Sequence, residues 1–241
     1  MILRAKRAVV VGGTSGIGFA VAEAALREHA EVVVVSSKPE NVDIAIKRLA
    51  GAAKGFAVDV RKDDDVAMFF ERLGSIDHLV FTAGDWGAMT GGSLAELDLV
   101  RAGEVFAVRF WGALACVKHA HKSISAGGSI TLTDGMIAER PRRGAALSSA
   151  MAGAVEHLVR GLALELAPVR VNAVCPGYVR TEVWNSIPAE QRDERLRRMT
   201  QRLPLPRMGE PAEIAEAYLY LMRGGYTTGQ VLRVEGGLGL I

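Results

Sequence analysis

The heptapeptide GGTSGIG, residues 12 to 18, follows the apolar run RAVVV and leads straight into a helical stretch. Glycines at 12, 13, 16 and 18 leave the backbone bare at a strand-to-helix turn. There, N–H groups at the positive end of a helix can approach a pyrophosphate. Thr14, Ser15 and Ile17 belong to the same turn and are counted with Gly12, Gly16 and Gly18 as binding residues. A tight turn with no ligand would use the same glycines. A strand before, a helix after and a second strand, EVVVV, at the expected distance favour the ligand. Elsewhere, Arg140, Arg142 and Arg143 could hold an anion, although a solvated basic loop accounts for them better. His119 and His121 are two apart on a helix and cannot share a face, while Cys116 and Cys175 have no metal-ligand neighbours. No metal is expected.

A turn of this kind needs a sheet to hold it. Short β-branched runs stand at 7–11, 31–35, 55–58, 77–81, 129–133, 169–174 and 230–234. Near-continuous Val and Ile in such runs mean strands buried on both faces. Apolar residues recur at helical spacing over 17–27, 63–73, one long stretch from about 98 to 121, 148–167 and 210–222. The expected class is α/β: a single doubly wound Rossmann-type domain with a mainly parallel sheet of about seven strands. No linker interrupts the 241 residues, so one dinucleotide-binding domain over 1–241 is the default. A net charge of +2 argues against nucleic acid, and no apolar run approaches the roughly 20 residues a bilayer span needs. The N-terminal MILRAKRAVVVGG shows no apolar signal segment with a cleavage site, so a cytoplasmic location is expected.

Gly12, Gly16 and Gly18 have the spacing of the short-chain dehydrogenase/reductase (SDR) family, and the likeness continues to the C-terminus. Asp59-Val60 resembles the family's adenine contact, and Thr82-Ala83-Gly84 resembles its Asn-Ala-Gly turn. Pro176 and Gly177 stand at its Pro-Gly turn, and Thr181 stands where a threonine meets the nicotinamide carboxamide. RMGEPAEIA and GQVLRVEGG complete the pattern. The resemblance therefore implies a nicotinamide cofactor. An acid at the end of the second strand would accept from a ribose 2′-OH and repel a 2′-phosphate. Ser36, Ser37 and Lys38 stand there instead and can hold that phosphate, which favours NADP(H) over NAD(H).

The same resemblance, carried to the chemical end, finds the family's usual groups replaced. The AVEHLVRGLALELAP helix aligns without gaps, putting Ser148 at the catalytic tyrosine and Ala152 at the lysine. Gly135 falls at the catalytic serine with Asp134 just before it, and Arg109 takes the place of the asparagine. The chain thus resembles a divergent SDR that lacks the Asn-Ser-Tyr-Lys tetrad. A serine hydroxyl is shorter and far less acidic than a phenol, and no adjacent histidine is evident to activate Ser148. Tyr178 is the only tyrosine near the cofactor motifs, and the family's turn gives no reason to expect it at the substrate.

Two readings follow. In one, the protein is a catalytically inactive NADP(H)-binding sensor or scaffold. In the other, the changes are coordinated. A carboxylate at Asp134 stabilises an iminium that hydride transfer then neutralises, or the Arg109 guanidinium bears the enolate charge of a conjugated C=C acceptor. The expected partner is a small-molecule substrate, under a covering segment at about 182–208 with Trp184, Ile187 and Met199 as candidate contacts. The resemblance also implies a homodimer or homotetramer, through the broad apolar faces of the helices near 98–121 and 148–167.

Overall fold

The computed structural model describes residues 3–84 and 94–241. Strands and helices alternate from the start: β1 (Arg7–Val11), α1 (Gly16–Arg27), β2 (Glu31–Ser36), α2 (Pro39–Arg48), β3 (Lys54–Ala57), α3 (Asp63–Leu73) and β4 (Ile76–Phe81). Two short helices, α4 (Leu99–Ala102) and α5 (Glu104–Phe106), lead into a π-helical stretch, Ala107–Gly112, that continues as α6 (Ala113–Ala120). Then come β5 (Ile124–Thr133), α7 (Ala146–Glu165), β6 (Arg170–Pro176), α8 (Ala189–Thr200), α9 (Pro211–Arg223) and β7 (Val231–Val234). Among the described residues the seven strands form one parallel sheet in the order β3-β2-β1-β4-β5-β6-β7.

The β-branched runs account for the sheet. Val9, Val33, Leu79, Ile130 and Val171 face one layer with α3, α6 and α7, while Val10, Val34, Val80 and Val174 face the other with α1 and α9. Successive residues of one strand thus enter opposite cores, as a parallel sheet covered on both sides requires. Chain order reverses between β1 and β4, and that switch opens a crevice at the carboxyl ends of the strands.

Three elements differ from the sequence expectation. The single helix expected over 98 to 121 is broken, with i→i+5 turns at Ala107–Gly112. The fifth strand begins at Ile124 instead of 129. Helix α2 was missed because only Val42 and Ala45 on it are buried, too few to mark a helical stripe. No helix among the described residues is long and apolar enough to cross a membrane.

Candidate active site

The glycine turn is built against the neighbouring strand end. Gly12 has φ of +86° and Gly16 of +51°, backbone that an L side chain rarely adopts. A Cβ on Gly12 would lie 2.5 Å from the Ala83 nitrogen, and one on Gly18 would lie 2.2 Å from the Gly12 oxygen and 2.3 Å from Thr82 Oγ1. The Thr82 hydroxyl, donating to the Val11 oxygen at 3.1 Å, thus fills the space two side chains would need. The bare cradle at the start of α1 fits the phosphates of a dinucleotide.

The other cofactor candidates gather along the same crevice. Ser36 ends β2, and the exposed Ser37 and Lys38 follow it, the Lys38 N–H donating to Ser36 Oγ at 3.5 Å. Asp59 holds Arg61 from both carboxylate oxygens. Its Oδ1 accepts from the Arg61 backbone N–H and Nε, which leaves the spare lone pair for an adenine amino group on Oδ2. Val60 is buried beneath Gly112. Ala83 and Gly84 follow β4, and Pro176 and Gly177 close β6, the Gly177 N–H donating to the Val234 oxygen at 3.0 Å. Thr181 returns to the glycine turn, its methyl 3.2 Å from the position of a Cβ on Gly16.

The chemical candidates sit at the ends of β4 and β5. Arg109 projects from the π-helical stretch and is only 8% exposed. Its Nε would stand 2.8 Å from a Cβ on Gly84, so glycine there makes room for the guanidinium. Burial pulls its pKa down, opposed by Asp134 and Tyr218. Asp134 directly follows β5, is 2% exposed, and neither carboxylate oxygen has a hydrogen-bond partner. Burial first, and then the facing Glu156 carboxyl, push Asp134 up to about 8, while the Gly135 N–H and Arg109 act the other way. Arg109 lies near enough to Asp134 for each charge to act on the other. The two interact through space without a hydrogen bond, and the group that faces Asp134 is Glu156, from α7. Ser148 is buried in the first turn of α7, two turns before Glu156, and Ala152 lies between them. A side chain added at Gly135 would meet nothing within 4 Å, so open space adjoins Asp134.

Sequence reasoning missed Glu156, whose only signal was its place four residues after Ala152, nearly on the same helical face. It also missed Tyr218 on α9. The phenol donates to Thr133 Oγ1 at 2.7 Å while Thr133 donates to the Phe81 oxygen at 2.6 Å, and burial pushes the phenol pKa up. Cys175, beside Asp134, is likewise buried with its thiol pushed up, which excludes a ready thiolate. Trp184 spends its indole N–H on the Val179 oxygen at 2.6 Å and Ile187 is buried, so both pack their own segment. The arginines at 140, 142 and 143 are exposed. Among the described residues no His, Cys, Asp and Glu cluster is placed to hold a metal ion.

Comparison with known proteins matches residues 11–239 to the family described as enoyl-(acyl carrier protein) reductase. The chain is 39% identical over 257 residues to the short-chain dehydrogenase/reductase ucsE of Acremonium sp, with 98% of this chain and 96% of that protein covered. The chain belongs to the short-chain dehydrogenase/reductase family. This SDR is an oxidoreductase, and its fold superposes on solved SDR structures. The structure of MalC reductase/Diels-Alderase from Malbranchea aurantiaca matches with a TM-score of 0.92 at 31% identity, covering 100% of this chain and 98% of that one. A small-chain dehydrogenase in complex with NADPH matches with a TM-score of 0.85 at 34% identity, covering 98% and 100%.

Proposed function

We propose that this SDR reduces the C=N bond of a small imine or iminium, using NADP(H) and an active site built on Asp134 and Arg109 in place of the family's tetrad. The observation that carries this reading is Asp134 itself: a buried carboxyl at the end of β5, faced by a second acid and beside open space at Gly135. Structures keep such a group where something else satisfies it. A nitrogen that is basic or already cationic does so, by taking the proton or by pairing with the carboxylate.

The glycine turn, Asp59, the Ala83-Gly84 and Pro176-Gly177 turns and Thr181 would hold the dinucleotide, with Ser36, Ser37 and Lys38 at the 2′-phosphate. When bound, the reduced nicotinamide supplies a hydride to the substrate carbon. The NADPH complex of the similar dehydrogenase supports that choice of cofactor. Asp134 protonates a neutral imine, or stands as counter-charge to an iminium, and hydride addition then removes the positive charge, so no alkoxide needs a phenolic acid. The reductase named in MalC supports reduction as the direction of the reaction. The Arg109 guanidinium over Gly84 also favours a second reading, reduction of a conjugated C=C bond whose oxygen rests on that cation. In neither reading is Ser148 the acid; its hydroxyl serves as a contact.

The test is fluorescence titration with NADPH and NADH, followed by NADPH consumption with cyclic imines, enones and ketones. Tight NADPH binding with imine turnover that collapses in Asp134→Asn is expected. Turnover of ketones alone, undiminished by Asp134→Asn and Arg109→Leu, overturns the proposal. Lys38→Asp should weaken NADPH more than NADH. A homo-oligomer in the cytoplasm completes the proposal, in keeping with two buried free thiols and the exposed apolar residues of α7 and the π-helical stretch.

A further inference from the structure

One buried acid in this crevice has no part in the scheme so far. In β5 the side chain of Thr133 turns to Tyr218 on α9, so alternation along the strand turns Asp134 to the opposite layer, toward α7. Thr133 pairs with Val174 in β6, which sets Asp134 beside Cys175, one residue farther on. Glu156 comes down on the same spot from α7. Its Oε1 is buried and, like both oxygens of Asp134, receives no hydrogen bond. The outer oxygen, Oε2, lies 3.6 Å from the guanidinium of Arg160, a half-exposed side chain on the same helix. Among the described residues, the charged and titratable groups acting on the pair include Arg109 from the π-helical stretch, the thiol of Cys175 from β6, and Arg160 at the outer edge.

Two carboxyls facing each other in desolvated space resist double ionisation, and the Gly135 N–H on Asp134 and Arg160 at the outer oxygen of Glu156 offset that only in part. We infer that Asp134 and Glu156 hold one proton between them, and that Glu156 is a positioning residue that keeps this proton on Asp134 and restores it after each turnover. The upward shift of Asp134 points the same way.

The use of this proton rests on the imine reading given above. With a neutral imine bound, the Asp134 O–H bond breaks and an N–H bond forms, so the electron pair stays on the carboxylate and the positive charge moves to the substrate. The site's total charge is unchanged at that moment. Hydride from the reduced nicotinamide then adds to the carbon, and an amine results. The pair, now doubly negative beside Arg109, recovers one proton from water. Glu156 is 12% exposed, and its outer oxygen meets the half-exposed Arg160, which gives that proton a route from water.

The experiment uses protein labelled at the aspartate side-chain carboxyl carbon with 13C, titrated by NMR without substrate, with Asp134→Asn assigning the resonance. Wild type should show one aspartate titrating near pH 8. Glu156→Gln should lower that midpoint by about one to two units, because the amide removes a like charge and donates to the carboxylate. Glu156→Asp, an acid withdrawn by one methylene, should fall in between and guards against a glutamine variant that does not fold. An Asp134 midpoint in the ordinary carboxylate range, or one that Glu156→Gln leaves in place, overturns the proton-sharing pair.

Single-turnover reduction of a cyclic imine and of its N-alkyl iminium then tests the pair's use. Glu156→Gln should slow the imine by about tenfold or more at pH above neutral, with a much smaller loss for the iminium, which needs no proton. Equal losses on both substrates overturn the proton-delivery role. No turnover of either substrate by wild type, with the carboxyl titration as expected, would sink the imine reading and leave the shared proton standing.

Discussion

Asp134 makes the folded protein sensitive to pH in an uncommon direction. Its proton is held to about 8 in the folded state but released near the ordinary 3.8 of an unfolded chain. Between those values the folded state binds more protons than the unfolded one, so stability declines as pH rises through that window and then levels off. Asp134→Asn removes the term. Thermal melts should show little difference from wild type at about pH 4 and a higher Tm for the variant at about pH 8.5, by roughly 2–4 °C for each kcal/mol recovered in a chain of this size. A variant that melts lower at both values would contradict a buried, protonated Asp134. Gly135, the next residue, has extended backbone that any residue adopts and open space before it. Gly135→Leu should therefore fold and bind NADPH like wild type while losing imine turnover by about tenfold or more, a steric block read in kinetics and not in the melt. The neighbours of Asp134 were only half legible beforehand. Arg109 and Asp134 could be picked out because strand ends bind ligands, whereas Glu156 lies 22 positions beyond Asp134 and meets it only once α7 is laid on the sheet.

The glycine turn shows what an element adds to its residues. Gly18 sits with its α carbon so close to the Gly12 carbonyl that a methyl group would stand 2.2 Å away, and backbone cannot yield as a flexible side chain does. Gly18→Ala should displace the start of α1 and weaken NADPH binding by at least tenfold in fluorescence titration; retained affinity would show that the cradle does not hold the phosphates. This element was readable because every glycine in it has a steric reason. By contrast the i→i+5 turns in AVRFWG leave no mark on composition or periodicity, since they change only which carbonyl each N–H meets. Helix α2 escaped notice for a different reason: it covers the edge strand β3 and its neighbour β2 with few buried residues.

Across the whole molecule, the strand order places the switch between β1 and β4 so that one crevice collects the glycine turn, the ends of β4, β5 and β6, and the head of α7. The layer of α3, α6 and α7 also leaves large apolar side chains in solvent: Trp111 at 60% and Leu164 at 85% exposure. A homo-oligomer would cover them. Light scattering should give a multiple of the 25.7 kDa chain mass for wild type and a smaller species for Trp111→Glu/Leu164→Glu; a monomeric wild type would refute the assembly. The doubly wound class was legible at this scale because Val-rich runs and helical stretches alternate so regularly, while the broken course from Leu99 to Ala120 was not. That broken course also bears on ancestry. The turns over Ala107–Gly112 carry one residue more than a plain α-helix needs, so a single in-frame deletion at Val108 could let the helix wind on at 3.6 residues per turn with the sheet intact. Arg109 would then swing by about 100° away from Gly84, and a lineage could gain or lose the buried cation beside Gly84 by the smallest change of length a gene allows.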